Sequence, residues 1–194
     1  MAIDSKHAPS QHFYKIALKE PREDLETRFD FFKRKFWDQL HNQDAMRKVV
    51  IFVNSYFEFA KMKAFLERVN ASAECISEHT KKEKVQSRLA RFNGGSFRIL
   101  LMTERAYYFE VCQVKRFNFL YCYSLPKNSF VYRELLSSMA HKESRDDSVV
   151  GLKESSRVIG IYNQFDHMIV ERLVGSKKSH EMMTEYCTNV SFIV

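Results

Sequence analysis

Glycine and proline are scarce, five and three residues in 194, and the placement of the glycines excludes a large class of chemistry. Backbone amides can wrap a phosphate only where glycine lets the chain approach closely, and neither GxxxxGK[ST] nor GxGxxG occurs. Gly94 and Gly95 are the one adjacent pair, and they suit a helix stop. On its own, then, the chain is not expected to hold the phosphates of ATP. The four cysteines (Cys75, Cys112, Cys122, Cys187) form no CxxC pair and have no histidine at ligand spacing, so neither a zinc site nor a disulfide framework is indicated. GxSxG is missing and the seven histidines are scattered singly, which argues against a nucleophile with its base. No apolar run approaches the ~20 residues that span a bilayer, and MAIDSKHAPSQ lacks the apolar core of a signal peptide. These absences predict a reducing compartment, cytosolic or nuclear, with no membrane partner, no metal, no cofactor and no catalytic residue.

What is present is core and positive charge. Hydrophobic residues make up 45% and aromatics 14%, ample for one packed domain. Thirty-one Lys plus Arg against 24 Asp plus Glu leave a net +7, a surplus that favours a polyanionic partner.

Residues 1–20 read as a mobile lead-in. From Arg22 a helix carries Leu25, Phe29, Phe32, Phe36 and Leu40 on one stripe, with Arg28, Lys33, Arg34 and Lys35 mostly off it. KVVIFVN (48–54) is apolar on both faces, the mark of an interior strand in a parallel sheet. Ser55 and Glu58 form an S-x-x-E capping box opening a helix through Phe59, Met62, Leu66 and Val69. SAECIS (72–77) repeats the strand, and Thr80 with Glu83 repeats the box before a helix that Gly94-Gly95 closes. FRILLMT and FNFLYCYS are further strands; a helix from Ser129 to about Ala140 follows Leu125-Pro126. KESRDDSVVGLKESS (142–156) reads as a mobile loop, RVIGIYN as another strand, and DHMIVERLVG as its helix. Residues 184–194 are a tail. Strands alternating with helices imply a parallel sheet covered on both faces, in one α/β domain over 21–183.

Few residues suggest chemistry. Asp166 and Glu171 are five apart and share a helix face poorly; Asp166 fits a helix start, where negative charge is favoured. Arg88 and Arg91 are open between a solvated face and an RNA or protein contact. Tyr107, Tyr108 and Phe109 could stack bases, but they follow a buried strand directly, which favours packing.

The order IFVNS, RLARFNGG, RILLMTE and SLP resembles the second RecA-like lobe of superfamily-two RNA helicases, a three-layer P-loop NTPase-type fold. In that lobe the segment after the RILLMT-like strand carries an Asp and an Arg-Gly pair, and the helix after Leu-Pro carries arginines that reach ATP. Counted from Pro126, those arginine positions fall here on Glu134, Leu135 and Ser138, so the resemblance implies a lobe without its arginine finger. Five blocks, VVIFVNSYFEFAKMKAFL, ISEHTKKEKVQSRLARFNGG, ILLMTERAYYFE, YSLPKNSFVYREL and YNQFDHMIVERLVG, are similar to those of the digestive organ expansion factor family over about residues 22–183. That family comprises small-nucleolar-RNA-associated proteins of the small-subunit processome, helicase-like in fold and without ATPase motifs. Two departures are an asparagine, Asn54, where the family favours proline, and the aromatic pair Tyr107-Tyr108 where it usually has histidine.

The resemblance implies a non-enzymatic nucleolar scaffold in pre-rRNA processing and small-subunit biogenesis. Its partners would be pre-ribosomal or small nucleolar RNA, processome proteins, and a first lobe that this chain lacks. Thr103 is expected to hold a phosphate at its strand end, with Ser55, Arg105, Arg88 and Arg91 as further RNA contacts; Ser55 has helix capping as its competing task, and Arg105, if buried, a pairing with Glu104 or Glu134. Two rival readings are one lobe of an RNA-dependent ATPase and an adaptor that binds protein alone.

Overall fold

The computed structural model describes residues 9–37, 40, 48–110, 114–139, 156–184 and 189–193. Apart from Ser156, the loop expected at 142–156 lies outside them, as does the lead-in before Pro9. Seven strands form one sheet: β1 Ser10–Ile16, β2 Val49–Val53, β3 Ala73–Ile76, β4 Ile99–Thr103, β5 Phe119–Cys122, β6 Arg157–Asn163 and β7 Asn189–Ile193. Their order is β3-β4-β2-β5-β6-β1-β7, with every pairing parallel except β7 on β1.

The runs read as interior strands are interior. β2 and β4 are buried at all five positions. In β2, Val50 and Phe52 face one core, while Val49, Ile51 and Val53 face the other. Helices α1 (Asp24–Phe32) and α2 (Tyr56–Arg68) close the second core, which is rich in rings: Phe32 and Phe36 lie 5.1 and 5.0 Å from Tyr121 in edge contacts. Helices α3 (Lys82–Asn93), α5 (Ser129–Ser138), α6 (His167–Val174) and α7 (Ser176–Met183) close the first, together with Ala106 of the short α4 (Glu104–Glu110). The result is the three-layer α/β arrangement expected from the sequence.

Three elements differ from the sequence reading. The supposed lead-in contains β1, an inner strand paired with β6 from Ser10↔Arg157 to Ile16↔Asn163. Its buried positions are Gln11, Phe13 and Ile16, and the buried Gln11 Oε1 accepts from Tyr132 Oη at 2.6 Å, so a satisfied polar residue breaks the apolar pattern. The second capping box does not form; Lys81 caps α3 without a side-chain bond, and Thr80 Oγ1 accepts from Ser77 N at 3.0 Å. And α4 follows β4 with no intervening turn, which is why no glycine is needed there. Gly160 in β6 is required by contact instead, since a Cβ would lie 2.8 Å from both Leu125 Cδ2 and Phe13 Cδ1.

Candidate functional site: the carboxyl edge of the sheet

In open α/β sheets ligands sit beyond the carboxyl ends of strands, where neighbouring strands send their helices to opposite layers. Such places flank β2 and lie between β6 and β1, and the first is filled by the chain's own side chains. At the first, β2 leads to α2 while β4 and β5 lead to α4 and α5 on the other layer. Glu58 fills it: Oε2 accepts from Asn54 N (3.1 Å), Ser55 N (2.9 Å), Ser55 Oγ (3.0 Å) and Ser124 Oγ (3.1 Å). Ser55 Oγ accepts in turn from Glu58 N, completing the expected box, and Ser124 Oγ accepts from Asn54 N at 2.7 Å. Asn54 Nδ2 donates to Leu125 O at 2.6 Å, while the buried Asn54 Oδ1 has no hydrogen-bond partner among the described residues.

One strand further along, between β5 and β6, the occupant is Arg28, 1% exposed and read from the sequence as off the buried stripe. Pairing of β5 with β6 stops at Cys122↔Gly160, and Arg28 Nη1 enters the fork, donating to Tyr123 O (2.8 Å) and Ile161 O (2.9 Å). Nε and Nη2 reach Asp24, and Nη2 also reaches Asp166 Oδ2 at 3.1 Å. Asn163 ties the two carboxylates together, its Nδ2 donating to Asp24 Oδ1 and its backbone N to Asp166 Oδ2, both at 2.9 Å. Burial alone would pull the guanidinium pKa down, but the charges of Asp24, Asp166 and Glu58 hold it above its ordinary value. Asp166 sits at the helix start, as expected, and has a second task there. The i, i+4 spacing of Asp24 and Arg28 was a local signal; Asp166, 138 residues away, had none.

The residues expected to bind RNA divide into two groups. Ser55, Thr103 and Arg105 lie at this edge. Thr103 is fully buried, its Oγ1 donating to Glu78 Oε2 (2.9 Å) and accepting from Ala106 N (3.2 Å), so the hydroxyl expected on a phosphate starts α4. Arg105 is exposed. Its suggested partners have other bonds: Glu104 Oε1 accepts from Asn128 N at 3.0 Å, and Glu134 Oε2 from Tyr107 Oη at 3.3 Å. Arg88 and Arg91 are elsewhere, turned from α3 toward the buried Glu74 of the outer strand β3; Arg88 Nε is 3.4 Å from Glu74 Oε2, and Arg91 pairs with Glu74 Oε1 and lies over the Phe97 ring. At the arginine positions of the helicase resemblance, Leu135 is fully buried and Ser138 Oγ donates to Glu134 O.

Burial pushes the Cys75 thiol up to about 11 and raises Cys122 as well, so neither is poised as a nucleophile. Among the described residues no three His, Cys, Asp or Glu side chains gather as a metal site.

A feature missed in the sequence is a rim of exposed apolar side chains. Tyr56, Phe57, Tyr108, Phe130, Phe165 and Met168 are each at least 44% exposed, and each belongs to the helix or turn that follows a parallel strand, so all lie toward this edge. The available signal was their position, within a few residues of each strand's end.

Parallel strands with helices on both faces make a three-layer α/β domain of RecA-like fold. The fold is similar to the E. coli DEAD-box protein SrmB, solved bound to regulator of ribonuclease activity A (TM-score 0.56, 11% identity, 84% of this chain and 83% of that chain). It is also similar to a DEAD-box protein from the hyperthermophile Methanococcus jannaschii (TM-score 0.52, 13% identity, 88% of this chain and 39% of that chain). Residues 4–192 match the family model for the Utp25 C-terminal domain, and the chain belongs to that family. Relatives include Protein NUCLEOLAR FACTOR 1 of Arabidopsis thaliana, 29% identical over 159 residues (82% of this chain, 20% of the relative). U3 small nucleolar RNA-associated protein 25 of Meyerozyma guilliermondii is 27% identical over 171 residues (87% and 24%). The chain thus spans about a fifth to a quarter of the length of the curated relatives it matches.

Proposed function

We propose that this chain is a non-catalytic helicase-like platform of the nucleolar small-subunit processome, serving pre-rRNA processing by docking RNA, processome proteins or a further lobe against the carboxyl edge of its sheet. The names of its relatives, which speak of U3 small nucleolar RNA and the nucleolus, support the setting. The observation that carries the mechanism is the internal use of the polar groups at the edge where a motor lobe would meet nucleotide: Glu58 fills the crevice beside β2, Arg28 fills the fork between β5 and β6, and Leu135 and Ser138 stand at the arginine positions. Such an edge is rigid and offers its aromatic rim rather than a charged cradle. In this reading Thr103 and Ser55 hold helix starts in place, and Arg105 beside the rim is the RNA contact.

Crosslinking within isolated pre-ribosomal particles tests it. Crosslinks from the segments carrying Tyr56, Phe57, Arg105, Phe130 and Phe165 to RNA or to processome proteins are expected. Absence of the protein from such particles, or ATP turnover by the full-length protein that depends on this lobe, would overturn the reading in favour of a free-standing factor or of an RNA-dependent ATPase.

A further inference from the structure

The opposite edge of the sheet carries a different surface. Four adjacent strands are each preceded or opened by a cation: Arg98 before β4, Lys48 before β2, Lys115 and Arg116 ahead of β5, and Arg157 as the first residue of β6. Val49 is registered against both Ile99 and Phe119, and Phe119 against Arg157, so with strands about 4.8 Å apart these cations follow one rim.

Part of the row has a structural use. Helix carboxyl termini gather at this edge, and cations offset their dipoles. Lys48 Nζ donates to Asn93 O at the end of α3 (2.6 Å), and Arg98 Nη2 donates to Leu40 O. Lys115 and Arg116 also stand at helix ends, Lys115 N donating to Asn93 Oδ1 at 3.2 Å and Arg116 N to Ser138 O, but their side chains and that of Arg157 are exposed and form no ion pair among the described residues. The Arg157 guanidinium lies 5.9 Å from the centre of the Phe119 ring, which orients it. Arg116 is held at φ 55, a left-handed conformation costly for a residue with a side chain, with its N–H bonded to Ser138 O at 3.0 Å. The positive field here is felt by neighbours: burial and then the Arg116 charge lower the Lys48 pKa, and burial and then Arg157 lower that of His12.

We propose that Lys115, Arg116 and Arg157, backed by Lys48, take the phosphodiester backbone of single-stranded RNA along the amino edge of the sheet. Guanidinium forks match phosphate oxygens in pairs, and phosphate contacts need no apolar component. A protein interface needs a buried apolar centre, and the exposed large apolar residues among those described all lie toward the other edge. The inference goes beyond the proposed function: it concerns the opposite face and stands if the protein works outside the processome.

The test uses the 194-residue chain and a mixed-sequence single-stranded RNA of about 20 nucleotides, with affinity measured between about 50 and 200 mM salt. The triple variant Lys115→Gln, Arg116→Gly, Arg157→Gln is expected to bind about tenfold or more weakly, and to flatten the slope of log K against log salt by about 2, near 0.7 for each contact removed. Glycine at 116 suits the left-handed backbone, so that change does not threaten folding; far-ultraviolet circular dichroism and urea unfolding check the triple variant. Lys63→Gln, on the exposed side of α2, is expected to leave the slope of this binding within about half a unit. The proposal is overturned if the unaltered chain does not bind the RNA, if only Arg105→Gln or Arg88→Gln with Arg91→Gln weakens binding, or if poly-glutamate of equal charge binds as tightly and with the same dependence on the triple variant. The last result would assign the rim to an acidic protein. None of these failures touches the particle crosslinks, which report separately on the processome reading.

Discussion

The two edges of this sheet handle charge in opposite ways. At the carboxyl edge each buried cation or carboxylate is answered from within the chain: Arg28 by Asp24, Asp166 and two carbonyls, Glu58 by two backbone amides and two hydroxyls. At the amino edge Lys115, Arg116 and Arg157 meet no carboxylate among the described residues, and the charges of Arg116 and Arg157 add to burial in lowering the pKa of Lys48 and of His12. A surface whose polar groups are spent on each other can be stable and present apolar contacts. One that keeps like charges in a row gives up some stability, which is recovered when an anion arrives.

The sharpest way to break the comparison is to remove Arg28. Truncation leaves two partly buried carboxylates facing each other and strips a shared donor from Tyr123 O and Ile161 O, so Arg28→Ala is expected to cost about 3–5 kcal/mol in urea unfolding. Arg28→Lys should recover only a minor part, because one ammonium cannot reach two carbonyls and two carboxylates at once. A loss below about 1 kcal/mol would mean that the fork between β5 and β6 is held by packing, not by the guanidinium. Next in size is Glu58→Ala, which leaves Asn54 N and Ser55 N without their acceptor; about 1–3 kcal/mol is expected, with Ser55→Ala nearer 1. If Glu58→Ala instead restored nucleotide binding, measured by fluorescence of a labelled ATP, the filled crevice would be a plug over a working site and the non-catalytic reading would fail.

At the amino edge the sign reverses. Arg116→Gly relieves the left-handed backbone and removes a like charge, so stability should stay level or rise, by no more than about 1 kcal/mol. A clear loss would show that Arg116 has a folding role, and the row would then resemble the carboxyl edge.

The parts of the molecule that could be read from sequence are those whose cause is local. VVIFV and ILLMT are buried on both faces, so their composition alone marks inner parallel strands, and the Ser55 box is formed by residues three apart. Where the cause is distant, reading failed. Gln11 looks wrong for an inner strand until Tyr132, 121 residues on, supplies its partner. Arg28 belongs to a polar stripe until Asp166 and the two carbonyls arrive through the fold. Thr103 was correctly placed at a strand end, but whether its hydroxyl faced solvent depended on α4 beginning one residue later and on Glu78 reaching over from the loop after β3. The apolar rim was invisible for a related reason: Tyr56, Phe130 and Phe165 lie close after their strands in sequence, but only the parallel topology sets them along one edge.

The smallest effect is the most direct probe of the uncompensated field. His12 lies on β1, with Arg157 on the neighbouring strand facing it in register at Ser10, and its pKa is lowered below 6.5 first by burial and then by that guanidinium. A lowered pKa means that the fold prefers the neutral imidazole; the associated stability is intact above 6.5 and drains away as pH falls through the lowered value. In an NMR titration of Arg157→Gln the His12 midpoint should move up toward 6.5 without reaching it, because burial, the larger cause, is untouched. Added salt should move the unaltered protein the same way, since a field crossing solvent is screened over about 10 Å at 0.1 M. If the midpoint ignores both the substitution and the salt, Arg157 is already neutralised by a group nearer than His12, and the amino edge would be as self-contained as the carboxyl edge.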